Sequence, residues 1–461
     1  MEGKARKSNS VNPQHRSSGP ETLRRDLAID YTPTAALKPD PKNPRIHRDK
    51  QIQQIARSIE TFGFNVPLLV NGDRQVIAGH GRLAAAQRLG LELVPTIRLE
   101  HLSDAQLRAF MIADNRLTHI SEWDDRLLAE QLKSLAKVEL DFNLEITGFE
   151  MAEIDTMIEG ISPTREGEFD PADRIVEPGV PVTKPGDIWN LGRHRVLCGN
   201  ALDEESYAEL MQGRRANAVF TDPPYNDPID GYVSGFGKIH HREFAMASGE
   251  MDPDEFIEFL SRNFRNLVRN SVSGSLHFVC LDWRHLPEFL TASRRVYSEI
   301  KNLCIWVKES GGQGSLYRSR HELVLVFKNG TAKHRNNIQL GQYGRYRTNV
   351  WEYPRVNAAA KTCNDERLSG FHPTIKPVAL VADAILDCTS RNDLILDPFL
   401  GSGTTVIAAE RTGRICYGME LEPTYVDAVV RRWQDFTKKT ALHEKSGQSF
   451  ATMEAGANHG R

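Results

Sequence analysis

Apolar and polar positions change their period along the chain, and the changes mark its organisation. From Ile52 to Gly63, "IQQIARSIETFG" spaces apolar residues three and four apart, which predicts a helix. "VPLLVNG" and "QVIAG" follow as short strands around a turn, then "RLAAAQRLG" as a helix and "VPTIRL" as a strand. With further helices to about Gly160, residues 31–160 are expected to form a small α+β unit. Residues 1–30 are polar and carry Lys4, Arg6, Lys7, Arg16, Arg24 and Arg25, which reads as a disordered basic tail. Residues 161–182 are rich in Pro, Gly and charge, show no period, and read as a linker.

A second, larger unit is expected over 183–440. Short β-rich runs recur there: "HRVLCG", "ANAVFTD", "SLHFVCLD", "KNLCIWVK", "HELVLVFKNG", "LILDPF" and "ICYGME". Helical patterns such as "DEFIEFLSRNFRNLVRN", "PVALVADAILDCT" and "GTTVIAAERTG" lie between several of them. Strands that alternate with helices predict βαβ units and a mostly parallel sheet, so the fold class is α/β. Residues 441–461 are polar and Gly-rich and are expected to fray.

Composition changes this picture in three ways. Net charge is -3 over 461 residues, so a nucleic-acid partner would have to meet a local basic surface. The six cysteines form no C-x-x-C pair, which fits reduced thiols in a cytoplasm and no metal site. His240 and His241 are adjacent without a partner acid and read as polar loop residues. No apolar run approaches about 18 residues and no signal-peptide core is present, so neither a membrane span nor export is expected.

Two short stretches carry candidate chemistry. "LILDPFLGSGTTVIAAE" is an apolar strand, a turn with Gly401 and Gly403, and a helix. Such a turn lets backbone approach a ligand, and the helix offers unpaired N–H groups. Glu420 ends the next strand, placed as an acid that hydrogen-bonds ribose hydroxyls in nucleotide-binding folds, so an adenosine-bearing molecule is expected. The turn is not G-x-G-x-x-G, and no G-x-x-x-x-G-K-[ST] exists to grip a triphosphate. A turn of this kind can also serve close packing alone.

"TDPPY" closes an earlier strand, where open α/β sheets place ligands. Pro223 and Pro224 stiffen the backbone and remove two N–H donors. The Asp222 carboxylate and a proline carbonyl can both accept hydrogens of one planar amine, and Tyr225 offers a face for an unpaired base. Pulling on those hydrogens localises the amine lone pair and aims it at an electrophilic methyl. A base so treated must leave the helix. The plainer alternative is a rigid surface turn.

Together these stretches resemble the β-class amino-methyltransferases of DNA, which use S-adenosylmethionine. "DPPY" precedes "DPFLGSGTT" in the order of that family, "FHPTIKP" resembles a further cofactor motif, and "GDIWNLGRHRVLCGNA" resembles the segment that opens the catalytic domain. The resemblance spans roughly residues 183 to 435. It implies a Rossmann-like methyltransferase sheet, mostly parallel with an antiparallel strand. It also implies that Asp222 and the Pro223 carbonyl, within the rigid Asp222-Pro223-Pro224-Tyr225 turn, hold the target amine while Tyr225 stacks on the base. Asp397, Phe399, Gly401, Ser402, Gly403 and Thr404 would line the cofactor, with Glu420 on its ribose. Lys376 and Thr374, with His372 in the same motif, would hold its methionine end. Asn200 stands where the family often has an Asp against the adenine. The Asp start leans toward adenine N6; cytosine N4 and glutamine amides remain open alternatives.

The segment Asn329 to Gly370 carries Lys333, Arg335, Arg345, Arg347, Arg355, Lys361 and Arg367 against Glu352, Asp365 and Glu366. Tyr343, Tyr346, Trp351 and Tyr353 are interleaved, a pattern that suits phosphate contact and base stacking. Arg345, Arg347, Tyr346, Lys333 and Arg335 are therefore expected to face double-stranded DNA. A solvated basic loop is the alternative.

In the front unit, "NPR" and "VIAGHGRLAAAQRLG" resemble the ParB/sulfiredoxin-like domain of partition proteins. Gly79, His80, Gly81 and Arg82 form a turn entering a helix, a candidate anion or nucleotide site. The region holds no Cys, so sulfiredoxin chemistry is excluded. The expected activity is site-specific DNA methylation. The competing reading is a ParB-like DNA-binding regulator carrying an inactive methyltransferase fold. A homodimer is one open arrangement.

Overall fold

The computed structural model describes residues 27–136, 138, 140–160, 170–174, 181–226, 249–309, 311, 316–342, 345–356 and 375–459. They fall into two compact units. One contains the described residues up to Asp124 with Leu140–Gly148, and the other Asp125–Glu139 with the chain from Phe149 onward.

The smaller unit is built on five strands: β1 (Ile29–Pro33), β2 (Lys38–Pro39), β3 (Leu68–Val70), β4 (Gln75–Ala78) and β5 (Leu93–Arg98). Their order is β1-β5-β3-β4-β2, with parallel and antiparallel pairs mixed. Leu37, Leu68, Val70, Val76, Leu83, Ala86 and Val94 pack as its core. Helix Asp104–His119 begins where Ser103 accepts from the Gln106 amide and Gln106 bonds back, satisfying amides that the first turn leaves orphaned. Its Leu107 and Met111 close over Ile77 and Leu99.

The larger unit carries β6 (Ile188–Leu191), β7 (His194–Cys198), β8 (Ala216–Thr221), β9 (Ser271–Leu281), β10 (Glu299–Val307), β11 (His321–Lys328), β12 (Val350–Glu352), β13 (Leu394–Asp397), β14 (Ile415–Glu420) and β15 (Leu442–His443). These form one sheet in the order β12-β10-β11-β9-β8-β13-β14-β7-β6-β15. The central run β9-β8-β13-β14-β7 is parallel. β11 runs antiparallel to β9 and β10, as does β6 to β7 and β15. The sheet is thus the expected α/β arrangement, mostly parallel with antiparallel strands toward its edges.

Both faces of the sheet are covered. Ala218, Phe220, Phe278 and Cys280 point to one core, while Val219, Val279 and Leu281 point to the other. This alternation follows from the two-residue period of a strand. Helix Pro253–Arg269 shows why the second face closes. Asp252 accepts from the Glu255 amide, Pro253 occupies the first turn, and Phe256, Phe259, Leu260, Phe264 and Leu267 are buried along one stripe. Each such side chain stabilises the fold by about 1.5–3 kcal/mol when fully buried.

Three boundaries differ from expectation. Helix Met151–Gly160 belongs with the large unit, because buried Asp155 pairs with Arg414 at 2.8 Å and Arg391 at 3.1 Å. The described parts of the expected linker lie on that unit. Asp173 accepts from the Val378 amide at 2.8 Å, Arg432 donates to the Ala172 carbonyl at 2.9 Å, and the Val182 amide donates to Asp427 at 2.7 Å. The expected fraying tail is instead docked. β15 pairs with β6, Phe450 is buried with its ring 5.0 Å from that of Trp189, and Glu454 meets Arg431 at 2.7 Å. Among the described residues no helix is long and apolar enough to cross a membrane. Cys198, Cys280, Cys304, Cys388 and Cys416 are free and buried.

Candidate active site

β8, β13 and β14 are parallel neighbours, so their carboxyl ends share one edge of the sheet. Asp222 follows β8, Asp397 ends β13 and Glu420 ends β14. The sheet topology gathers three acids that lie far apart in sequence.

Asp222 is fully engaged. Its Oδ1 accepts from the Tyr225 hydroxyl and its Oδ2 from Lys376 Nζ. Lys376 Nζ also lies 3.1 Å from Glu322 Oε2, 3.5 Å from the Tyr225 hydroxyl and 5.9 Å from the Tyr225 ring centre. Lys308 donates to Glu322 Oε1. Two carboxylates and two ammoniums therefore alternate in a buried cluster. Burial works against the Glu322 carboxylate, yet Lys376 and Lys308 outweigh it and pull its pKa down to about 2. Burial also opposes the Lys376 ammonium, but Asp222 and Glu322 hold its pKa well above the usual lysine range. Burial pushes the Asp222 carboxyl up against the pull of Lys376. Lys376 and Tyr225 were expected on a cofactor carboxylate and a base; here both meet Asp222.

The same lysine ties this cluster to the glycine turn. Its backbone carbonyl accepts from the Thr404 hydroxyl at 3.2 Å, at the start of helix Thr404–Thr412. Gly401 and Gly403 have φ of 49° and 80°, the left-handed region that glycine enters without strain. A Cβ on Gly403 would sit 2.8 Å from Val429, so no other residue fits without moving its neighbour. Asp397 accepts from the Thr405 hydroxyl at 2.6 Å and the Phe399 amide at 3.1 Å. Phe399 packs toward Phe259, ring centres 6.4 Å apart.

Glu420 accepts from the Gly401 amide at 2.9 Å on Oε2 and from the Glu422 amide at 3.0 Å on Oε1. Burial drives both Glu420 and Asp397 up to about 7 despite these hydrogen bonds. Asn200 follows β7, beside the end of β14, and its side chain accepts from the Leu202 amide at 2.9 Å. Ser402 and Thr404 spend their hydroxyls on buried Arg432, whose Nη1 lies 3.2 and 3.3 Å away. Pro223 is buried and Pro224 half-buried beside Asp222. His372 and Thr374 lie outside the described residues.

Glu322, Lys308, Arg432 and Asn226 were not anticipated. Asn226 has φ of 59°, accepts from the Gly249 and Met251 amides, and donates to the Met251 carbonyl at 2.8 Å. It fixes the chain on both sides of residues 227–248. The acid inside the apolar run "HELVLVF" was a usable signal for Glu322, because an unpaired carboxylate is rarely buried in a strand.

The basic segment requires a correction. Arg345 is 7% exposed and pairs with Asp383 and Asp387 at 3.0 Å and Glu159 at 3.3 Å. Arg347 meets the same two aspartates at 3.2 and 3.3 Å and donates to the Tyr353 hydroxyl at 2.7 Å. Neither guanidinium is free for phosphate, because helix Val378–Leu386 and its cap present acids four residues apart. Lys333, Arg335 and Tyr346 remain exposed. Among the described residues no group of three or more His, Cys, Asp or Glu could hold a metal ion.

In the smaller unit Gly79, with φ of 101°, turns the chain into helix His80–Leu89. A Cβ there would lie 2.6 Å from Leu68, and one on Gly81 would lie 3.0 Å from His47 and Ile55. His80 Nε2 accepts from the Asp40 amide at 3.3 Å. Arg82 is half-buried and donates to the Pro67 carbonyl at 3.4 Å, while its Nε makes no hydrogen bond.

Comparison with known proteins finds matches in three stretches of the chain. Residues 216–431 match a family described as DNA methylase, residues 21–116 the ParB N-terminal domain, and residues 126–185 the ParB-methyltransferase HTH domain. The last covers the helices and linker first assigned elsewhere. Type II methyltransferase M2.MboI of Moraxella bovis is 27% identical over 253 residues, 52% of this chain and 87% of that protein. Among solved structures, PvuII DNA methyltransferase, described as cytosine-N4-specific, aligns with a TM-score of 0.41 and 16% identity over 62% of this chain and 96% of its own. The chromosome-partitioning protein ParB from Caulobacter crescentus, complexed with CTP-gamma-S, aligns with a TM-score of 0.27 and 24% identity over 30% of this chain and 81% of its own. In chain order, then, the three matched stretches resemble a ParB N-terminal domain, a ParB-methyltransferase HTH domain and a DNA methylase of the N6/N4 type.

Proposed function

We propose that the large unit transfers a methyl group from S-adenosylmethionine to the exocyclic amine of a base flipped out of double-stranded DNA, adenine N6 in preference to cytosine N4. The observation that carries this reading is the double role of Lys376. Its ammonium meets Asp222 and Tyr225 while its carbonyl holds Thr404 of the glycine turn, so amine acceptor and cofactor turn share one residue.

The residues present suit the cofactor. Glu420 accepts backbone N–H groups but no side-chain donor, which leaves lone-pair capacity for a ribose hydroxyl. Gly401 and Gly403 bare the backbone beside it. S-adenosylmethionine would supply an electrophilic methyl on its sulfonium. Asp222 and the Pro223 carbonyl would accept the amine hydrogens and turn the nitrogen lone pair toward that methyl. Tyr225 would leave Asp222 and stack on the base. No cysteine adjoins the tetrapeptide in sequence, and burial holds the thiol of Cys280, which faces Asp222 from β9, well above its usual range, in keeping with direct transfer to nitrogen. The front unit and the HTH segment would hold the DNA, and a cytoplasmic enzyme suits this substrate.

Incubating DNA with tritium-labelled cofactor, followed by nucleoside analysis, tests the reading. Label in N6-methyladenine is expected. Label in N4-methylcytosine overturns the adenine assignment, and label in no base overturns the function.

A further inference from the structure

Glu322 stands outside every motif that pointed to this site, yet it touches two of its charges. It lies on β11, three strands away from β13 in the sheet. It is 7% exposed, with Lys308 on Oε1 and Lys376 at 3.1 Å from Oε2. We propose that Glu322 is a positioning residue for methyl transfer: as the second anion of Lys376, it keeps the buried cluster neutral so that Asp222 retains its strength as an acceptor for the target amine. This rests on the reading of Asp222 given above.

The argument is one of charge balance. Asp222 and Glu322 offset Lys376 and Lys308. Without Glu322, Asp222 would be the one carboxylate left on Lys376, and Lys308 would lose its partner in the same cluster. A neutral amine is a weaker donor than an ammonium, so a carboxylate that holds Lys376 alone has little pull left for it. With Glu322 in place, the three Lys376 protons have a second taker, and Lys376 stays anchored when Asp222 turns to the base. Low dielectric makes each charge in such a cluster count more than it would in water.

The groups facing Asp222 and Glu322 come from several elements. They are Tyr225 beyond β8, Cys280 on β9, Lys308 beyond β10, Asp397 on β13, and Lys376 ahead of helix Val378–Leu386. Glu322 raises the pKa of Asp222 by like-charge repulsion, after burial and against Lys376. Removing its charge should therefore shift the acid limb of the rate to lower pH while the plateau falls. A merely structural role would lower activity without that shift.

The test uses the full chain. Glu322→Gln should lower kcat about 100-fold, as misplacement at a reacting centre does, with KM for DNA nearly unchanged. Its acid limb should move to lower pH. Adding Lys308→Met to Glu322→Gln restores one anion to one cation, and should recover about tenfold in kcat over the single variant. Wild-type turnover and pH profile in Glu322→Gln would overturn the proposal, as would no recovery in the double variant. Melting temperatures give a readout free of activity. Asp222→Asn with Glu322→Gln should destabilise by more than the sum of the two, because Lys376 then loses both anions. Additivity there would overturn the shared-anion role. Were wild type to place no methyl in DNA, the function above would fail, while the melting cycle would still decide whether Glu322 is the second anion of Lys376.

Discussion

Two of the ion clusters among the described residues of the large unit differ in where the charges sit. One joins Asp222, Glu322, Lys376 and Lys308 at the edge of the sheet where β8 and β10 end and antiparallel β11 begins. The other joins Arg345, Arg347, Asp383, Asp387 and Glu159 along the side of a helix. Both alternate opposite charges, as buried ions must. The first abuts a glycine turn and a buried acid with spare lone pairs, so a ligand can enter its balance. The second closes on itself, with Tyr353 donating to Asp383 and accepting from Arg347. Similar residue types give chemistry in one place and a fastening in the other, and the difference is the strand end.

The largest effect that would break this comparison is at Asp222. Asp222→Asn should reduce methyl transfer on the order of 1,000-fold, about 4 kcal/mol, the scale of losing one charged group at a reacting centre. The fold should persist because Lys376 keeps Glu322. Single-turnover transfer of labelled methyl, alongside a melting curve, measures both. A variant that unfolds with its activity would place the first cluster in the same class as the second.

Arg345→Ala asks the converse. It leaves Asp383, Asp387 and Glu159 short of a partner and should cost about 3 kcal/mol of stability by denaturant titration. Turnover per folded molecule should stay near wild type. A loss of DNA affinity larger than the loss of stability would return Arg345 to a DNA-facing role.

The sequence made some of this legible. The strand periods, the tetrapeptide and the glycine turn are local patterns, and the sheet brings their ends together as open parallel sheets do. Glu322, Arg432 and the partners of Arg345 are not local. Lys376 meets Glu322 across 54 positions (376 less 322), and Arg432 reaches Ser402 from the far side of β14. Nothing in a basic run says whether acids elsewhere will claim it. The docked tail escaped notice because one buried aromatic, Phe450, secures it within a polar stretch. The helices of 125–160 are amphipathic on either assignment; Asp155 and Glu159 decide, through arginines more than 180 positions away.

Glu420 sharpens the comparison by pH. Burial raises its carboxyl to about 7, against about 4.3 in an unfolded chain. The folded state therefore binds this proton more tightly. Its contribution to stability is complete below about pH 4.3 and is lost as pH rises through about 7. Asp397 acts in the same sense. The ligand-free protein should thus melt at lower temperature at pH 8 than at pH 5. Glu420→Gln should flatten that slope and weaken cofactor binding about tenfold by calorimetry, since an amide offers the ribose one acceptor oxygen in place of two. An unchanged slope in that variant would mean that Glu420 is ionised throughout.

The smallest expected effect falls on the part of the basic segment that stays in solvent. Lys333 and Arg335 are exposed, on the chain that leads from β11 toward Arg345. If they meet phosphate, each contributes mainly through released counterions, which carry no sequence information. Lys333→Ala and Arg335→Ala should each lower the slope of log affinity against log salt by about one, equally for matched and unmatched DNA. Turnover at saturating DNA should not change, because neither residue touches the ion cluster at the strand ends. A slope that stays at the wild-type value in both variants would leave the exposed side of this segment without a role on DNA, and the contrast between its two halves would become one of burial alone.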